Sequence, residues 1–142
     1  MNQKIQWLRN TMSSLNLQGM IVSNPTNIKY LTNIEAEGIL IITRKENIFI
    51  TDGRYIEAVH SILTIEDEII VNNISDVSKD DYENFFMFCE NVGFEENYVT
   101  YAKYKEYMHK FSVAVAVTAA LGALDTRDGF VLLGIGLTCI GV

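Results

Sequence analysis

The residues of this chain whose types could do chemistry are scattered acids, seven serines, two histidines and two cysteines, and their spacing decides what each can do. Asp52 and Arg54 stand two apart in Ile50-Thr51-Asp52-Gly53-Arg54-Tyr55. A carboxylate and a guanidinium so placed could contact a substrate, but the pair is better read as a helix-start cap and a surface or interface ion pair. Glu35 and Glu37 have the separation of a general acid and base, yet no titratable partner lies near them in sequence, so a solvated loop is expected. None of the serines sits in a nucleophile elbow, and no Gly-x-x-x-x-Gly-Lys phosphate loop occurs. His60 and His109 are far apart, and His60 falls beside an apolar helix face, as packing or surface residues do. Cys89, inside an aromatic run, reads as a buried free thiol in a reducing compartment, with Cys139 too distant in sequence to suggest a motif. No catalytic residue, cofactor site or metal site is therefore assigned to the chain.

The elements that must carry these residues are legible from periodicity. Ile5, Leu8, Met12 and Leu15 recur at helical spacing within residues 3–16, with Trp7 beside the stripe and Lys4, Arg9 and Asn10 facing away. Met20-Ile21-Val22 is too apolar for an exposed strand and predicts a central strand covered on both faces. Ser23-Asn24-Pro25 then supplies a cap and a proline at the first helical position. Two β-branched runs, 39–43 and 48–51, flank the polar residues 44–47 and predict a hairpin. After Asp52-Gly53, residues 54–63 place Tyr55, Val59 and Ile62 at helical spacing, with Ile56 and Leu63 widening the face. A strand is expected around Ile69-Ile70-Val71, and Ser78 with Asp81 forms a capping box for a helix over 80–91, stopped by Gly93. Its stripe is Tyr82, Phe85, Phe86, Cys89 and Val92. Residues 98–101 read as a short strand and 103–111 as a last helix with Tyr104, Tyr107, Met108 and Phe111 inward. The alternation predicts an α/β fold with a mixed β-sheet flanked by helices on both faces.

Two of the segments quoted, Asn24-Pro25-Thr26-Asn27-Ile28-Lys29-Tyr30-Leu31-Thr32 and Ile50-Thr51-Asp52-Gly53-Arg54-Tyr55, occur in this order across a hairpin. Together they resemble the N-terminal domain of the creatinase, prolidase and Xaa-Pro aminopeptidase family, most of all the bacterial Xaa-Pro dipeptidases. The likeness covers residues 5–111, with Lys29 where the family usually has arginine and Asn33 where it usually has glycine. Asn33 tolerates a left-handed backbone best among non-glycine residues, so the turn can survive. The resemblance implies a ribonuclease-H-like topology and a domain that packs across a homodimer and walls the partner's active site. Asn27, Tyr30, Asp52, Arg54 and Tyr55 are the residues it suggests for such an interface or wall. It also implies a C-terminal metallopeptidase domain in which two Asp, one His and two Glu hold two divalent ions such as Mn, Co or Zn. The residues after 111 contain Asp125 and Asp128 but neither His nor Glu, so the chain alone is expected to be inactive and to hold no metal pair.

Composition bounds the rest. With 142 residues, 49% of them hydrophobic, the size prior gives one domain and excludes global disorder. The net charge of −7, with no basic stripe, argues against nucleic acid. Lys4 has no apolar run behind it, so no secretory signal is expected and a cytoplasmic location follows. Residues 112–142 change abruptly to an apolar, Gly-rich tail outside the resemblance, read as a last strand over 113–117 followed by an apolar hairpin or loose end. Neither apolar arm reaches the eighteen or so residues of a membrane helix, and joining them would bury Asp125, Arg127 and Asp128 at about 2.5–3.5 kcal/mol each. Three functions are therefore weighed. The first is a non-catalytic domain of an Xaa-Pro peptidase; the second is a stand-alone binding or scaffolding module. The third, a receiver-like signalling domain, lacks that class's acidic pair and lysine at strand ends.

Overall fold

The computed structural model describes residues 2–111 and the backbone of two short later strands. Helix α1 (Gln3–Ser14) starts where the Asn2 side chain accepts from the amides of Lys4 and Ile5, and it buries Ile5, Leu8 and Met12 as its spacing predicts. Strand β1 (Gly19–Val22) is buried at every residue. Asn24 then caps α2 (Pro25–Thr32), whose end turns through Asn33 in the left-handed conformation at φ 64°, as that residue type allows. Strands β2 (Gly38–Thr43) and β3 (Asn47–Thr51) form the expected antiparallel hairpin. Its connection is one residue shorter than 44–47. Asn47 is drawn into the strand because Arg9 donates from Nε to the Thr43 carbonyl, at 2.9 Å, and from its guanidinium NH2 group to Asn47 Oδ1. Arg9 therefore does not face away from the core side, as its helical position suggested. It is half-buried, and burial is the main cause that lowers its pKa.

A one-turn 3-10 helix at Gly53–Tyr55 leads into α3 (Ile56–Ile62), which buries Val59, while Ile62, expected inward, is 42% exposed because the helix ends there. Strand β4 (Ile69–Asn73) follows. The capping box of Ser78 and Asp81 is present and opens α4, but that helix ends at Phe85 (Lys79–Phe85) rather than running to 91. Residues 91–94, expected to include the helix stop, are strand β5 (Asn91–Phe94), with Gly93 inside it against Leu17. The expected strand over 98–101 is also absent. The Tyr98 and Val99 amides turn back to the Glu95 carbonyl, and Thr100 caps α5 (Tyr101–Lys110).

Strands β6 (Val115–Val117) and β7 (Leu137–Cys139) complete a sheet ordered β4-β3-β2-β1-β5-β7-β6. β6 carries part of the strand expected over 113–117, and β7 falls in the stretch expected as an apolar hairpin or loose end; the other residues after 111 lie outside the described residues. β1 pairs antiparallel with β2 and parallel with β5, so the sheet is mixed and β1 lies inside it. One face of the sheet packs Met20, Val22, Leu40, Ile42 and Phe49 against α1, α2 and α3. The other packs Ile21, Ile41, Ile48 and Ile50 against Tyr82, Phe86, Tyr107 and Phe111 of the α4 to α5 region. Helices thus cover both faces, as the alternation predicts. Among the described residues no helix is long and apolar enough to cross a membrane.

Candidate functional site

The two segments singled out in the sequence meet beside α2. Pro25, Thr26 and Lys29 of α2, Ile34, Glu35, Ala36 and Glu37 of the connection to β2, and Tyr55 line an open groove of about 410 Å³. Local hydrogen bonds fix its walls. The Thr32 hydroxyl donates to the Ile28 carbonyl and accepts from the Ile34 amide, at 2.6 and 3.1 Å. Thr51 donates to the Glu37 carbonyl at 2.6 Å, tying the same connection to β3. On the rim Lys29 Nζ meets Glu35 Oε1 at 2.5 Å, and the hydrogen bond from Lys29 is the main cause holding the Glu35 carboxyl below its usual range. Both side chains are well exposed, so the pair contributes little to stability.

Asp52 caps the turn into α3. Its Oδ1 accepts from the Arg54 amide at 2.9 Å and from Arg54 Nε at 3.3 Å, and the backbone donor is the leading cause that lowers its pKa. The Arg54 guanidinium in turn lies 5.2 Å from the Tyr55 ring centroid. Gly53 lies between them, where an added Cβ would stand 2.7 Å from Asn73 Nδ2 and displace that side chain. The structure therefore brings Asp52, Arg54 and Tyr55 into one unit, of which Tyr55 enters the groove. Asn27 and Tyr30 stand apart from it. Tyr30 is half-buried against the core, with Lys4 Nζ 4.3 Å from its ring centroid, and Asn27 is 1% exposed and points inward.

What Asn27 meets is a residue that the sequence did not single out. Glu95, directly after β5 and only 2% exposed, receives Asn27 Nδ2 at 2.7 Å on one carboxylate oxygen. Its other oxygen accepts from the Ser23 amide and hydroxyl and from the Asn24 amide, the last at 3.0 Å. Glu95 thus clamps the start of α2, and with it Pro25, Thr26 and Lys29, to the end of β5. Burial pushes its carboxyl above the usual range, and the Ser23, Asn24 and Asn27 donors pull it partly back. The Tyr107 hydroxyl, buried on the neighbouring α5, approaches Ser23 without completing a hydrogen bond, and burial foremost raises its pKa. The only sequence signal for Glu95 was its place in a doublet with Glu96, which is exposed.

No activated group emerges from this arrangement. Asp52 is spent on Arg54, Glu35 on Lys29, and Glu95 on N–H and O–H donors; among the described residues no three His, Cys, Asp or Glu side chains converge as metal ligands. A pair of divalent ions does not fit this donor set. The groove, with apolar Pro25, Ile34, Ala36 and Tyr55 under a charged rim, can seat another surface.

The sequence profile described as the creatinase/prolidase N-terminal domain matches residues 4–126. An uncharacterised peptidase, YqhT of Bacillus subtilis strain 168, is 32% identical over 120 residues, which are 82% of this chain and 33% of that protein. The chain thus spans about a third of the length of that relative. An Xaa-Pro dipeptidase from Bacillus anthracis superposes with a TM-score of 0.62 at 25% identity, over 76% of this chain and 30% of its own. The N-terminal domain of the cytoplasmic peptidase PepQ from Mycobacterium tuberculosis H37Rv, at 19% identity, shares the fold with a TM-score of 0.65 over 79% of this chain and 87% of its own.

Proposed function

Because the chain belongs to the creatinase/prolidase N-terminal domain family, we propose that it works as the non-catalytic domain of an Xaa-Pro dipeptidase or aminopeptidase-like metallopeptidase. Its part is to contribute to a dimer and to wall the partner's active site, in the cytoplasm. The observation that carries this reading is the groove: Pro25, Thr26 and Lys29 of segment 24–32 and Tyr55 of segment 50–55, far apart in sequence, converge there, with Glu35 paired to Lys29 on the rim. Such a surface positions and excludes; the hydrolytic step and its two divalent ions belong to a C-terminal domain outside this sequence. Limiting substrate length needs a rigid wall, and the Glu95 clamp on α2 together with the Thr32 and Thr51 hydrogen bonds supplies one.

The test is an assay of the purified chain with an Xaa-Pro dipeptide and added manganese, cobalt or zinc, beside calorimetric titration of each metal. No turnover and no tight two-equivalent binding are expected. Hydrolysis that scales with this chain through purification overturns the assignment, as does stoichiometric uptake of two ions.

A further inference from the structure

Four isoleucines lie open within residues 62–74: Ile62 at 42%, Ile65 at 94%, Ile70 at 49% and Ile74 at 49% exposure. This stretch runs from the end of α3 through β4, which ends the sheet on one side, and one residue beyond it. β4 is bonded to β3 residue for residue, 69–73 against 47–51, and among the described residues no strand covers its other side. Edge strands of soluble proteins are usually blunted by lysine, proline, a bulge or extreme shortness. β4 is Ile69-Ile70-Val71-Asn72-Asn73, with no lysine or proline, in a ladder with no bulge.

The geometry points to a second copy of this chain as the occupant, with β4 pairing antiparallel to β4 about a two-fold axis. In such a pair the opposed residues share a face of the sheet, so the axis must pass through a residue. An axis at Ile70 sets Ile70 against Ile70 of the second copy and Ile69 against its Val71. An axis at Val71 sets Ile69 and Ile70 against asparagines instead, and one at Ile69 leaves Ile70 without a strand residue opposite, because Glu68 stands outside β4 in the left-handed conformation at φ 55°. Only the Ile70 register sets Ile69, Ile70 and Val71 against apolar residues, and opposed β-branched pairs are the favourable kind. A five-residue strand alone falls short of the roughly 800 Å² per partner of a stable interface, and Ile62, Ile65 and Ile74 beside it supply further apolar surface. None of these residues lines the groove beside α2, so this contact stands independently of the groove's role.

Sedimentation of the intact chain over a concentration series should show a dimer. Ile70→Lys should weaken it at least tenfold, with thermal unfolding unchanged at concentrations where the wild type is monomeric, whereas Phe88→Ser, at a more open site on the turn before β5, should leave it intact. In a chain with both native cysteines replaced by serine, Ile70→Cys should yield an oxidised covalent dimer and Asn72→Cys should not, an arm that decides the matter if Ile70→Lys fails to fold. A wild-type monomer at every concentration overturns the inference. So does a dimer that Ile70→Lys leaves unchanged, or one that cross-links through Asn72→Cys and not through Ile70→Cys.

Discussion

Glu95 shows how one residue decides the geometry of a surface it never reaches. Its carboxylate accepts from the Ser23 and Asn24 amides and from Asn27 Nδ2. Glu95→Ala takes this acceptor from the Ser23 and Asn24 amides in a part-buried setting, and a loss of about 3 kcal/mol is expected in chemical denaturation. The variant should also loosen the first turn of α2, seen as faster hydrogen exchange at Asn27 and Ile28. The pH dependence follows from the raised pKa of the folded state. Between the usual glutamate range and that higher value, the folded protein holds a proton that the unfolded chain has lost, so stability falls as pH rises through this window. Asp52 and Glu35, with lowered pKa values, act in the opposite sense and lose their contribution on acidification. Subtracting the curve of Glu95→Gln from that of the wild type isolates the Glu95 contribution. A difference that grows with pH across the window would show that the amide donors outweigh burial.

At the scale of elements, the sequence was legible wherever a local signal and the core agreed. Asn24-Pro25, Ser78 with Asp81, and the two β-branched runs each fold as their chemistry dictates. Legibility failed over 86–101, for a physical reason. Tyr82, Phe86 and Val92 keep an apolar spacing across the end of α4, and all three feed the same side of the sheet. A helical stripe and a following strand cannot be told apart when they share a core. Val99 misled likewise, being turned back by its hydrogen bond to the Glu95 carbonyl. The site was half legible: Asp52, Arg54 and Tyr55 form one unit, but Glu95 and Arg9 work through partners 68 to 72 and 34 to 38 positions away, which no local pattern reveals. Gly38 gives the sharpest element-scale prediction. A Cβ there would lie 2.4 Å from the Ile50 carbonyl oxygen and 2.8 Å from the Phe49 ring. Gly38→Ala should force the start of the hairpin apart and cost about 1–3 kcal/mol in thermal or chemical unfolding.

Among the described residues the sheet is covered on both faces at its middle and carries no strand beyond β4, and local stabilities should follow that plan. β1 is fully buried, has strands on both sides, and lends Met20 and Val22 to one core and Ile21 to the other. Opening it separates both cores at once, so its amides should exchange only with global unfolding. β4 has one neighbouring strand and an exposed Ile70, so its outward amides should exchange through local opening at a lower free energy. Native-state hydrogen exchange measured against denaturant distinguishes the two. The Met20 to Val22 amides should show the full denaturant dependence of global unfolding, and those of Ile69 to Asn73 a shallow one. At concentrations where the chain dimerises, the outward β4 amides should become slower while those of β1 stay unchanged, because pairing protects the edge without altering the centre. Fast, denaturant-independent exchange at Ile21 would remove β1 from the centre of the sheet, and with it the support for the α2 start that the groove is built on.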